Sequence, residues 1–185
     1  MDSNHPRDLA DLTHRLRLAV SRKATVCLGF LEPPTPQVLV VSPGGVASTS
    51  VMEQIARFCE TNSPGDGDGL KHIIRPPRNA KKMVLITGEP REVASSLRRR
   101  GYLGIHSAKM GSVLGVMLRG NLQEHYFRWL VRRQRENFAQ DTRKCLVLKY
   151  GEVFESCKKI ADFLNLPSEE FCRDYPARRA RRAQL

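Results

Sequence analysis

The residue types most suited to chemistry are concentrated in one short stretch, Ser42-Pro43-Gly44-Gly45-Val46-Ala47-Ser48-Thr49-Ser50. It follows the apolar run Val38-Leu39-Val40-Val41 and precedes Val51, Met52, Ile55, Ala56 and Cys59, which recur at helical spacing. A strand running through a glycine-rich turn into a helix aims several backbone N–H groups into one concavity. The positive end of the helix dipole adds to the potential there, and a phosphate or sulfate fits both. Gly44, Gly45, Val46 and Ala47 supply the backbone, and Ser48, Thr49 and Ser50 add hydroxyl donors. The same residues also suffice for a plain tight turn closed by an N-cap serine. The stretch contains no lysine and no Gly-Lys-Ser/Thr triplet, so it is not a Walker A loop. An anion held here would rest on N–H and hydroxyl donors.

The elements that must position this turn follow from the apolar pattern. Val38–Val41, Met83–Ile86 and Cys145–Leu148 are compact β-branched or aliphatic runs bounded by turn residues, which predicts three buried strands. His72-Ile73-Ile74 is a shorter strand candidate. Pro90 suits the first turn of a helix that carries Val93, Ala94 and Leu97 and closes on Arg98-Arg99-Arg100 before Gly101. Leu122 to Phe138 predicts a helix with Leu122, Tyr126, Trp129, Leu130 and Arg133 along one side, Tyr126 and Trp129 being assigned to the core. Val153, Cys157, Ile160, Ala161 and Leu164 predict another helix. Residues 102–120, with glycines at 104, 111, 115 and 120, have no readable period. Strands alternating with helices predict an α/β domain with a parallel sheet flanked by helices on both faces. That domain spans 37–175. An N-terminal extension, 1–36, holds a short helical pattern (Leu9, Leu12, Leu16, Leu18, Val20), and 176–185 forms a basic tail.

A chain of 185 residues with 41% apolar and 27% charged residues is globular in composition and long enough for a single core. Its net charge of +12 is uneven: residues 1–70 hold 6 basic and 8 acidic residues, residues 71–185 hold 25 and 11. An anionic partner is expected, with its side-chain cations drawn from the second part. Aromatic content of 6% and the absence of an RNA-binding motif disfavour dedicated nucleic-acid recognition, although Arg178-Arg179-Ala180-Arg181-Arg182 offers a basic segment. The same segment serves equally as a solubilising terminus. Five scattered cysteines without a Cys-x-x-Cys pair point to reduced thiols in a cytoplasmic setting rather than a disulfide framework or zinc site. No membrane span is expected, since the early apolar run Ala24–Leu31 falls far short of the ~20 residues required.

Three blocks in order resemble the sulfotransferase family. Gly45-Val46-Ala47-Ser48-Thr49-Ser50 corresponds to its 5′-phosphosulfate loop. Ile86-Thr87-Gly88-Glu89-Pro90-Arg91-Glu92-Val93-Ala94-Ser95-Ser96-Leu97 resembles its strand-turn-helix for the 3′-phosphate. Leu146–Val153 with Ile160-Ala161-Asp162-Phe163-Leu164-Asn165-Leu166-Pro167 is similar to its late strand end and "Phe-Leu-Gly-Leu-Pro" helix end. The resemblance implies a three-layer P-loop-like α/β fold and the donor 3′-phosphoadenosine 5′-phosphosulfate as co-substrate. The reaction it implies is sulfuryl transfer to an acceptor hydroxyl or amine. By position, Gly44 to Ser50 would surround the 5′-phosphate and sulfate, with Ser96 at the 3′-phosphate and Arg91 a further donor-binding candidate. His72 would be the base that takes the acceptor proton, a role imidazole suits with little tuning. The alternative reading of His72 is a half-buried strand histidine bonded to backbone.

The chain departs from the family at three positions. Val46 stands where the loop usually has Lys or Arg, Ser48 where it has Gly, and Gly88 where the 3′ motif opens with Arg. Two donor-facing cations are therefore missing. Arg91, Arg98, Arg99 and Arg100, or Lys71, Arg75 and Arg78 beside His72, are either replacements or a solvated helix end and a basic loop. His106 and Lys109 are outside candidates in the glycine-rich stretch. Two functional expectations follow, a sulfotransferase-like enzyme and a catalytically inactive binding or scaffolding module on the same fold. A nucleotide-dependent phosphotransferase is disfavoured by the absent Walker lysine.

Overall fold

The computed structural model describes residues 35–46, 48–140, 142 and 144–177. The helical pattern at 9–20, Ala47 and the basic run from Arg178 lie outside the described residues. The three apolar runs form one parallel sheet in the order β1 (Val38–Val41), β2 (Lys82–Thr87) and β3 (Cys145–Lys149). Among the described residues seven helices accompany it. They are α1 (Ser48–Ala56), α2 (Pro90–Arg99), α3 (Leu103–Lys109), α4 (Val113–Met117), α5 (Gly120–Ala139), α6 (Cys157–Leu164) and α7 (Ser168–Arg173). The class is α/β, as the alternation of apolar runs implies. None of these helices is long and apolar enough to cross a membrane.

Alternation along the strands divides the core. Val38, Val40, Val84, Ile86 and Leu148 join side chains of α1, α2, α5, α6 and α7 in one cluster. Leu39, Val41, Met83, Leu85 and Cys145 join Leu70, Ala80 and Phe138 in the other. After α1 the chain returns along the outer edge of β1, where Val38 bridges Thr61 in the parallel sense. Asn62 then imitates a strand with its side chain, its Oδ1 accepting from Val40 N–H at 2.7 Å and its Nδ2 donating to Val40 O at 3.0 Å. From β1 the path goes first to one side, residues 60–62, and then to the other, β2. Such a reversal of direction opens a crevice beyond the carboxyl ends of the strands.

Several local expectations are met. Pro90 opens α2, Arg98 and Arg99 occupy its last turn, and Glu92 its first. Asn165 closes α6 in the left-handed conformation, with φ +60°.

Others are corrected. Ile73 and Ile74 form no strand; their carbonyls accept from the Gln134 and Asn137 side-chain amides of α5 instead of a ladder neighbour. Val153 does not belong to α6 but to a separate 3-10 turn, Val153–Glu155, joined to it at Ser156. Residues 102–120 hold the two short helices α3 and α4. The inward face of α5 is Glu124, Phe127, Leu130, Val131, Gln134 and Phe138, so Leu122 and Trp129 point outward. Two polar residues hid that face. Glu124 is held between Arg98 and Arg128, and Gln134 bonds Ile73, so both are buried with partners distant in sequence or charged.

Candidate functional site

The turn after β1 is tied down at both ends. Ser42 N–H donates to Lys71 O at 2.8 Å, Ser42 O accepts from His72 Nδ1 at 2.6 Å, and the Ser42 and Ser48 hydroxyls lie 2.9 Å apart. Between them Gly44 and Gly45 both have positive φ, +104° and +70°. Two successive residues of this kind reverse the chain sharply into α1, a path open to glycine and strained for others. The His106 ring lies against Gly44: a Cβ there would sit 2.3 Å from its Cε1 and Nδ1.

Positions 46 and 88 are both closely packed. Val46 is buried in the core cluster beside β1. A Cβ on Gly88 would meet Val93 Cγ2 at 2.8 Å and Val46 Cγ1 at 3.4 Å. Two other cations reach the turn. The guanidinium of Arg100 lies where a Gly45 side chain would begin, Nη2 being 2.6 Å from that Cβ position. Its Nε donates to Ser96 O at 3.2 Å and its Nη2 to Ser96 Oγ at 3.3 Å. On the other side, the buried Lys71 donates to Thr49 Oγ1 at 2.7 Å and Pro64 O at 2.6 Å. Burial lowers the Lys71 pKa, Asp66 opposes that, and Lys109 adds to it. Asp66 also accepts from Lys71 N–H at 3.1 Å and lies 3.4 Å from Lys109 Nζ.

The two histidines form the floor of this cluster, ring centroids 4.8 Å apart and edge to face. Burial pushes the His106 pKa down to about 3, with further lowering from His72, Lys109 and Arg100 and only Asp66 acting the other way. Its Nδ1 has no hydrogen-bond partner among the described residues, and neither does Thr87 Oγ1 at the carboxyl end of β2. Beside the turn lies an open groove of about 600 Å³, lined by Gly45, Ser50, Gln54, Arg100, Tyr150 and Phe154 among others.

Of the residues singled out by the sequence, Gly45 and Ser50 line the groove, Gly44 packs on the His106 ring, Ser48 bonds Ser42, Thr49 bonds Lys71 and Ser96 bonds Arg100. Ser48 is buried, Thr49 exposed, and Ser50 faces the groove. Ala47 lies outside the described residues. Arg91 is exposed on α2. His72 is 3% exposed, beneath the turn rather than above it, and its Nδ1 is committed to Ser42 O. Arg100 was legible in part, because it follows Ser96 by one helical turn and so shares its side of the helix. His106 is an outside candidate in the sequence and Tyr150 falls in one of the sulfotransferase-like blocks, but nothing local links either of them, or Phe154, to residues 44 and 45, where the fold places them. Among the described residues no three His, Cys, Asp or Glu side chains group as metal ligands. Comparison of the chain with protein-family models, curated proteins and solved structures finds no match.

Proposed function

We propose that the crevice binds 3′-phosphoadenosine 5′-phosphosulfate and that the protein is a sulfotransferase-like domain with a three-layer P-loop-like fold. It would transfer the sulfuryl group to an acceptor hydroxyl or amine. The observation that carries this reading is the tethered Gly44–Gly45 turn at the carboxyl end of β1 with the Arg100 guanidinium beside it. Glycine backbone, a helix start and a flanking cation are the ingredients of a phosphate site that has no Walker lysine.

In the reaction an acceptor oxygen or nitrogen forms a bond to sulfur. The bond from sulfur to the 5′-phosphate oxygen breaks, adenosine 3′,5′-bisphosphate leaves with the added negative charge, and the proton of the acceptor passes to a base or to solvent. Arg100 and Lys71 supply positive charge near the turn, where that charge develops. Thr49 and Ser96 each accept a hydrogen bond from a cation, from Lys71 and Arg100 respectively, which leaves each hydroxyl proton free to point at an anion. Thr49 would face the 5′ group and Ser96 the 3′-phosphate.

The second reading is a binding module without transferase activity, and the position of His72 favours it. A base buried under the turn and bonded to Ser42 O is placed to hold the turn rather than to receive an acceptor proton. Thermal unfolding with adenosine 3′,5′-bisphosphate tests donor binding. Ligand at a hundred times its Kd adds about 2.7 kcal/mol, a rise in Tm of about 5 to 10 °C for a chain of this size. No rise at millimolar ligand contradicts donor binding, and with it the transferase reading. His72→Ala separates them: loss of turnover with the ligand-induced rise intact identifies a base, whereas loss of the rise identifies a residue that positions the turn.

A further inference from the structure

We propose that the outward face of α5, continued by α4, docks on an anionic lipid bilayer surface. Leu122 is 69% exposed, Met117 64%, Trp129 52% and Leu114 51%, side chains of a size usually withdrawn from water. They belong to one face. Leu122, Tyr126 and Trp129 recur at i, i+4 and i+7 on α5, and the Tyr126 and Trp129 rings stack with centroids 5.5 Å apart. Leu114 and Met117 are three residues apart on α4, which is tied to α5 by Ser112 Oγ donating to Tyr126 OH at 3.2 Å and Gln123 Nε2 to Gly115 O at 2.9 Å.

The charge around these side chains selects the occupant. His125, Arg132 and Arg133 are exposed within one turn of Trp129, and Arg119 is exposed between the two helices. From 119 to 139 five arginines stand against two glutamates, Glu124 and Glu136. Glu124 is buried between Arg98 and Arg128, and Glu136 lies 3.4 Å from Arg133. The outward face therefore keeps a positive surplus around an aliphatic and indole centre. Lipid headgroups meet the arginines and the adjoining acyl region takes Leu, Met and Trp, the division found in interfacial helices. A second copy of the chain would set the arginines against one another. A nucleic acid would pair with the arginines and one free ring face but leave Leu114, Met117 and Leu122 in water, and Tyr126 already covers part of Trp129.

Trp129 is the only tryptophan in the chain, so its emission reports on this face alone. The full-length protein is mixed at low ionic strength with phosphatidylcholine vesicles, with and without phosphatidylserine. The expected result is a blue shift of Trp129 emission and quenching by acyl-brominated lipid, only when phosphatidylserine is present. Leu122→Glu should abolish the shift, and Arg132→Glu with Arg133→Glu should weaken binding about tenfold or more. Quenching in the unmodified protein needs no variant and stands even if a variant misfolds. Absence of a shift, co-sedimentation without a shift, or a shift unchanged in folded Leu122→Glu overturns the proposal. So does a shift produced by a single-stranded oligonucleotide and not by vesicles.

Discussion

A side chain at position 44 would meet the His106 ring at 2.3 Å, on a backbone already at φ +104°. Gly44→Ala should therefore destabilise the protein by about 2 to 4 kcal/mol, combining left-handed strain with displacement of the ring. Adding His106→Ala should recover only part of that loss, because the backbone strain stays; full recovery in thermal melts contradicts the account. His106 itself makes stability depend on pH. The folded protein keeps it neutral down to about 3, while the unfolded chain takes up a proton near 6.5. Between those values the unfolded state holds more protons, so the contribution is fully present above the upper value and is lost as pH falls. Tm should drop on acidification from neutral pH, and His106→Asn should flatten that drop; equal slopes contradict the burial of a neutral ring. Glu124 adds to the loss only lower down, since its carboxylate, held by Arg98 and Arg128 at about 2, begins to lose its contribution near 4.5. None of this was legible from the sequence at 106, where the glycine-rich context masks the period and the partner, Gly44, lies 62 positions earlier.

At the scale of elements, Asn62 and the face of α5 show what pattern reading captures and what it misses. The three strands and the Pro90 helix were legible because β1 and β2 are buried on both faces and β3 in part, which leaves unbroken apolar runs, and because capping chemistry is local. Asn62 was not, since a loop asparagine that bonds both polar groups of Val40 looks in sequence like any turn residue. Asn62→Ala leaves Val40 N–H and O buried without those partners, which should cost about 2 to 4 kcal/mol in urea unfolding. Retention of full stability would show that the edge of β1 does not depend on this side chain. The α5 face was misjudged because Glu124 and Gln134 interrupt the buried side, whereas Leu122, Tyr126 and Trp129 make a more regular apolar stripe, of which Leu122 and Trp129 face outward and Tyr126 is half-buried at the flank of the core. Periodicity locates a helix reliably, yet it cannot say which of two candidate stripes has the long-range partners. The Ile73–Ile74 carbonyls, satisfied by Gln134 and Asn137, are the other end of the same misjudgement.

For the molecule as a whole, the surplus of +12 resolves into distinct regions. Lys71, Arg100 and Lys109 gather about the turn after β1, while Arg119, Arg132 and Arg133 lie on the outward side of α5 and the loop before it. The turn reads as a candidate anion site from its glycines and hydroxyls, and Arg100 and Lys71 are among several cations the sequence offers as replacements for those missing at 46 and 88. That these two reach the turn while Arg91 stays exposed on α2 appears only in three dimensions, and we propose the replacement on that ground. That replacement is the central claim, and titration calorimetry with adenosine 3′,5′-bisphosphate tests it most directly. Arg100→Ala should weaken binding about tenfold or more, the worth of one charge-assisted hydrogen bond. Arg99→Ala, an exposed neighbour on the same helix, should leave the Kd unchanged. An Arg100→Ala protein that folds normally and binds as tightly as the parent would contradict the account.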